Sequence, residues 1–227
     1  TYYTRRGEMD WTVVQNSLPM FEKGFWLTLR LSFFGIIGAG VLGLICSFIQ
    51  YFKVPVLRKL VTAYVELSRN TPLLIQLFFL FYGLPQVGIK FSAEVCGIIG
   101  IIFLGGSYMA EGFSGGLAGV SKTQIESGLA IGLSRFQLAR YVIFPQGLML
   151  SVPAFAANVI FLIKETSIFT VLAIPELTNT ALDLIGMYYN TNEYLFMLVV
   201  AYAIILIPLS ILLTWLEKKV RYGTFGN

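Results

Sequence analysis

The chain has 227 residues, 56% hydrophobic and only 12% charged, with a formal net charge of +4 and no histidine. A soluble domain carries about 25% charge, so the composition excludes an ordinary soluble fold and indicates an integral membrane protein. The missing histidine removes a histidine general base, a histidine metal ligand and most zinc chemistry. The two cysteines, Cys46 and Cys96, lie far apart inside apolar segments and read as packing residues.

Residues 1–23 are polar and mixed, with Arg5, Arg6 and Lys23, and show no compact apolar core of a secretory signal. The first predicted span covers residues 25–50, since about 20 apolar residues cross a bilayer core. It holds Gly35, Gly38, Gly40 and Gly43, whose small size lets another helix approach closely. Trp26 and Arg30 belong near its interface. A short basic loop with Lys53, Arg58 and Lys59 leads to the second span, 58–84. A polar interruption, ELSRNTP at 66–72, divides that span, and Pro72 is expected to kink or restart the helix. The third span, 93–116, is glycine-rich, which suits the packed middle of a bundle.

The connection at 118–147 is charged and amphipathic. Ile125, Leu129, Gly132 or Leu133, Phe136 and Val142 recur at helical spacing over 124–145, while Glu126, Arg135, Gln137 and Arg140 occupy other faces. The fourth span, 148–174, is broken by KETS at 164–167. A polar, acidic loop without Lys or Arg follows at 175–193. The fifth span, 195–217, is uncharged up to Leu216, and Glu217, Lys218, Lys219 and Arg221 close the chain.

Charge sets the orientation. With the C-terminus inside, the inner segments carry Lys53, Arg58, Lys59, Lys122, Arg135, Arg140, Lys218, Lys219 and Arg221. The outer ones carry Arg5, Arg6, Lys23 and Lys90. The positive-inside rule then places the N-terminus outside, the C-terminus in the cytoplasm and the 118–147 connection in the cytoplasm. The net positive charge follows from this topology and does not point to nucleic acid.

No G-x-x-x-x-G-K-[ST] phosphate loop is present, and neither a Ser-His nor a Cys-His pair is possible. The chain is therefore expected to move a solute rather than catalyse a reaction. Ionisable groups at membrane depth are costly and mark function by default. Glu165, Thr166, Ser167 and Asn158 can together meet the ammonium and carboxylate of an amino acid, but a structural Lys164–Glu165 arrangement at a helix break fits the same residues. Glu111, with Glu66 and Arg69, reads first as a structural ion-pair set and second as a pathway group. Gln76 either lines the pathway or hydrogen-bonds a neighbouring helix.

ESGLAIG at 126–132, followed by VIFP at 142–145, resembles the cytoplasmic loop of ABC importer permeases, E-A-A-x-x-x-G-x9-I-x-L-P. It matches at Glu126, Gly132, Val142, Phe144 and Pro145, and it departs at Ser127 and Gly128, where two alanines are usual. YVELSRNTPLLIQLFFLFYGLP at 64–85, YMAEGFSGGL at 108–117 and IKETSIFTVLAIPELT at 163–178 resemble elements of the polar amino acid branch of that family. Ser114 stands where Arg is usual.

The resemblance implies an all-α integral membrane protein: one permease domain over 1–227, a five-helix bundle of the type I importer kind, with a coupling helix between spans three and four. It implies transport of polar or charged amino acids into a bacterial cytoplasm across the plasma membrane. It also implies a dimer of ATP-binding cassette ATPases, a second permease subunit and an extracytoplasmic binding protein. ATP and Mg would sit on the partners, with no cofactor in this chain. Glu126, Ser127, Gly128, Gly132, Leu133, Arg135 and Pro145 would meet the ATPase. The rival expectation is a stand-alone secondary transporter or channel for small polar solutes.

Overall fold

The structure, a computed structural model, describes residues 9–225, and side chains over 9–220. Arg5 and Arg6, and the side chain of Arg221, which entered the charge balance, lie outside what is described. The described residues are almost entirely helical. Helix α1 (Trp11–Tyr51) starts at the cap Asp10, whose carboxylate accepts the Thr12 N–H at 2.9 Å. It begins well before the expected boundary at residue 25, because the polar residues 11–23 continue the same helix through Pro19. Helix α2 (Leu57–Arg69) and helix α3 (Leu73–Phe78) replace a continuous second span, and the break at 70–72 falls where Pro72 withholds its N–H. Beyond α3 the chain runs through a π turn, Phe79–Gly83, and a 3-10 turn, Leu84–Val87.

Helix α4 (Ala93–Ala118) is capped by Ser92, with Glu94 in its first turn. It is the centre of the bundle and packs against α1, α2, α3, α7 and α8. Three hydroxyls bind α2 to α4: Tyr64 and Ser68 donate to the Phe103 carbonyl at 2.7 and 2.9 Å, and Ser107 donates to Ser68 at 3.1 Å. Close approach to α1 requires glycine at position 43. A Cβ there would stand 2.4 Å from Met109 Cβ and 2.9 Å from the Ala110 backbone nitrogen.

The connection after α4 contains α5 (Lys122–Ala130) and α6 (Arg135–Leu138), then a π turn, Ala139–Ile143, that runs into α7 (Phe144–Leu150). Helix α8 (Val152–Glu165) passes into a 3-10 segment, Thr166–Leu172, at the KETS sequence that marked the break. The expected solvated loop at 175–193 instead contains helix α9 (Leu177–Tyr188), with Leu177, Ala181 and Leu184 buried. Helix α10 (Thr191–Phe225) is the last span.

Among the described residues, four helical stretches are long and apolar enough to cross a membrane: Trp11–Tyr51, Ala93–Ala118, Val152–Leu172 and Thr191–Val220. The second element contributes only the shorter apolar run Leu73–Val87. One core joins α1, α3, α4, α8, α9 and α10, and Cys46 and Cys96 are buried as expected.

Candidate functional site

Two regions carry the candidate residues. The first is the connection between α4 and α7. It is not one helix. Gly132, at φ +86°, turns the chain after α5, and Ser134 restarts it through a capping box with Gln137. Only glycine adopts that φ without strain. Leu117, Val120, Leu138 and Ile143 form a small separate core that fastens the connection to the end of the bundle. Gly128 is buried in this core, and a Cβ there would meet Leu138 Cδ1 at 2.6 Å. Its small size therefore serves packing within the chain rather than packing on a partner.

Glu126, Ser127, Gly132, Arg135 and Pro145 are exposed, and Leu133 is half-buried. The expected single apolar face is split: Ile125, Leu133 and Val142 pack against the small core, while Leu129 and Phe136 are exposed. Leu138 and Ile143 point inward, while Leu129, Ile131 (79% exposed) and Phe136 (67%) point away from the bundle. Pro145 lies in the first turn of α7, where its missing N–H costs nothing to the helix it opens. The π turn directly before it absorbs the register change.

The second region is an open groove of about 670 Å³ between α4 and α7–α8, lined by Tyr108, Glu111, Gly112, Pro153, Ala154 and Asn158 among others. Asn158 donates to the Tyr108 carbonyl at 3.2 Å. Glu111 pairs with Arg69, which also lies 5.2 Å over the Tyr108 ring. The ion pair ties the end of α2 to α4 without Glu66, which lines a different groove beside Lys59, while the Glu111 carboxylate stays partly open to this groove. Seven residues beyond Asn158 on α8 is Glu165, about 10 Å further along the same face at 1.5 Å per residue. Glu165 and Ser167 are partly exposed and Lys164 is exposed, so all three lie on the uncovered side.

Two candidates are set apart from this face. Thr166 is fully buried, and its hydroxyl donates to the Ile163 carbonyl at 2.6 Å. Gln76 is buried, and its amide donates to the Ser68 and Thr71 carbonyls at 3.1 and 3.0 Å, satisfying backbone at the break after α2. Neither presents its hydrogen-bonding group to the groove.

Glu176 was not anticipated. Its carboxylate is fully buried and caps α9, accepting the Thr178 and Asn179 N–H groups at 2.8 Å each. Burial pushes the carboxyl up to about 7, against these hydrogen bonds, which lower it. No ordinary cap signal stands in the sequence here, since Ser, Thr, Asp and Asn are the usual cap residues and Glu is not.

Among the described residues, a helical bundle with four membrane-length helices and an open groove lined in part by polar side chains is that of a polytopic membrane protein. The family model described as binding-protein-dependent transport system inner membrane component matches residues 29–222, and the chain belongs to that family. It is 30% identical over 216 residues to the glutamine transport system permease protein GlnP of Escherichia coli (strain K12), covering 94% of this chain and 99% of that protein. It is 37% identical over 167 residues to the probable glutamine ABC transporter permease protein GlnP of Bacillus subtilis (strain 168), covering 74% and 77%. A chain from the crystal structure of an amino acid ABC transporter with histidines superposes with a TM-score of 0.88 at 26% identity, over 93% of this chain and 99% of that one. A chain of the inward-facing MetNI methionine ABC transporter shares the fold, with a TM-score of 0.70 at 20% identity over 88% and 98%.

Proposed function

We propose that this chain is the permease subunit of an ATP-binding cassette importer that admits polar or charged amino acids by alternating access, driven by ATP hydrolysis on partner subunits. The observation that carries the reading is the uncovered face bearing Glu111, Asn158, Lys164 and Glu165. Such a face is too costly to leave against lipid, so it lines a path closed by a second permease subunit. Glu165 there meets a substrate ammonium, and Asn158 and Ser167 offer amide and hydroxyl groups to its carboxylate. The names of the relatives, which include glutamine and amino acid permeases, support the substrate class.

The exposed side chains Leu129, Ile131 and Phe136, with Glu126, Ser127 and Arg135 beside them, form the surface an ATPase dimer engages. ATP and Mg stay on that dimer, and this chain supplies no catalytic group. Five elements cross the bacterial plasma membrane, the second of them broken, with the N-terminus outside and the C-terminus in the cytoplasm. An extracytoplasmic binding protein delivers the substrate to the outer end.

The test is amino acid uptake into proteoliposomes by the assembled complex and by this chain alone. Uptake that requires the ATPase and ATP supports the proposal. Uptake of small polar solutes by the chain alone sinks it in favour of a secondary transporter or channel. In the assembled complex, Glu165→Gln is expected to weaken substrate affinity about tenfold or more, from the loss of a charged hydrogen bond. Unchanged affinity with reduced subunit abundance would return Glu165 to a structural role.

A further inference from the structure

We propose that the groove between the end of α1 and the start of α2 binds the phosphate of an anionic phospholipid headgroup. Lys53, Arg58 and Lys59 line it, together with Pro55, Thr62 and Glu66, and it encloses about 560 Å³. Three cations face one carboxylate, so the groove is net positive. The ion pairs among the described residues, Arg30–Glu94 and Arg69–Glu111, use none of these three cations.

The backbone presents the groove at some cost. Lys53 and Val56 both adopt left-handed φ, 51° and 64°, and a β-branched residue there is an outlier. The turn they form caps α2 without a side chain: the Leu57 and Arg58 N–H groups donate to the Pro55 and Val54 carbonyls at 2.7 and 3.0 Å. It also turns Val56 outward at 70% exposure.

The rim separates a lipid from other anions. Val54, Pro55 and Val56 line the groove beside the cations, and Val56 is strongly exposed. A free anion has no use for such a rim, whereas a phospholipid lays its glycerol and upper acyl chain on apolar side chains while the phosphate meets the cations. The groove directly follows a helix that crosses the membrane, so it lies at a membrane face, where headgroups are the most concentrated anions. This holds for either orientation of the chain and is independent of the substrate proposal.

Native mass spectrometry of the assembled transporter, presented with phosphatidylglycerol or phosphatidylcholine, tests it. The wild type is expected to retain phosphatidylglycerol in preference. Lys53→Gln, Arg58→Gln and Lys59→Gln should each lower that retention about five-fold, as about 1 kcal/mol per cation near an anionic surface implies. Lys59→Arg, which keeps the charge, should retain lipid as the wild type does, and Lys122→Gln, away from the groove, should change nothing. Equal retention of both lipids, or unchanged retention in the three groove variants, overturns the site. Displacement of phosphatidylglycerol by millimolar inorganic phosphate identifies a free-anion site and overturns the lipid assignment. Loss of the ATPase subunit with lipid retention intact identifies an acidic protein surface and also overturns it.

Discussion

Glu176 joins two helices through its carboxylate and a third through its backbone. Its carboxylate caps α9 and takes a 3.5 Å contact from the Tyr202 hydroxyl of α10, while its backbone lies against Gly24 of α1 and the next residue, Leu177, donates its N–H to the Thr28 hydroxyl. Its carboxyl is raised from an ordinary 4.5 to about 7 by burial, so the folded protein holds a proton that the unfolded chain releases. The resulting stabilisation is complete below about 4.5 and is lost as pH rises through about 7, a change of about 3 kcal/mol. Glu176→Gln is expected to match the wild type in melting temperature near pH 5 and to exceed it at pH 8. A constant difference across that range in the detergent-purified complex would refute the assignment. A second residue pair separates crowding from open space. Gly43→Ala drives a methyl into Met109 and the Ala110 backbone and should destabilise by about 1–3 kcal/mol. Gly186→Ala, on α9 with nothing within 4 Å, should be neutral or gain up to about 1 kcal/mol. Thermal melts of the two variants side by side check both.

At the scale of elements, the turn at Gly132 decides what the 118–147 connection can transmit. Two short helices fixed to one small core move as a unit with the bundle end, whereas a free amphipathic helix would slide on the membrane surface. Gly132→Val is therefore expected to loosen the unit by forcing a branched residue into positive φ, and Ser134→Ala to remove a cap worth about 1 kcal/mol. Hydrogen exchange over 122–143 in the assembled complex should quicken in both. Unchanged protection would show that the turn does not hold the element. Glu126→Lys leaves this packing untouched, since Glu126 is exposed, and should uncouple ATP hydrolysis from uptake without lowering subunit abundance. Wild-type uptake in that variant would remove Glu126 from the coupling surface. The second span shows a different limit of elements: Pro72 marked the break in advance, but Gln76, which satisfies the carbonyls the break exposes, looked equally like a pathway group.

At the scale of the whole molecule, the two exposed faces differ in kind. Val199, Ile204, Ile207 and Ile211 of α10 are exposed and apolar, as lipid requires, while the face of α4 and α8 carries Glu111, Asn158, Lys164 and Glu165. Cysteine substitutions should report this difference in the assembled transporter in lipid. Ala157→Cys should react with a charged, water-soluble thiol reagent, and Ile204→Cys only with a membrane-soluble one. Equal labelling of both positions by the charged reagent would remove the polar path from the α4–α8 face. Cys46 and Cys96 are buried and should give little background.

By itself the sequence determined the membrane setting, the broken second and fourth elements and the family, because each rests on local quantities. Apolar run length, a proline without an N–H and motif spacing act over a few residues whatever surrounds them. The extension of α1 back to Trp11, the helix in the 175–193 connection and the inward turn of Gly128, Thr166 and Gln76 were decided only by the tertiary structure. Polar residues join a helix when its other face is covered, and α9 becomes stable because Leu177, Ala181 and Leu184 are buried in the common core with side chains of α1 and α10. Whether a polar side chain faces a path or closes a backbone gap likewise depends on which neighbour lies opposite, and that neighbour is distant in the chain.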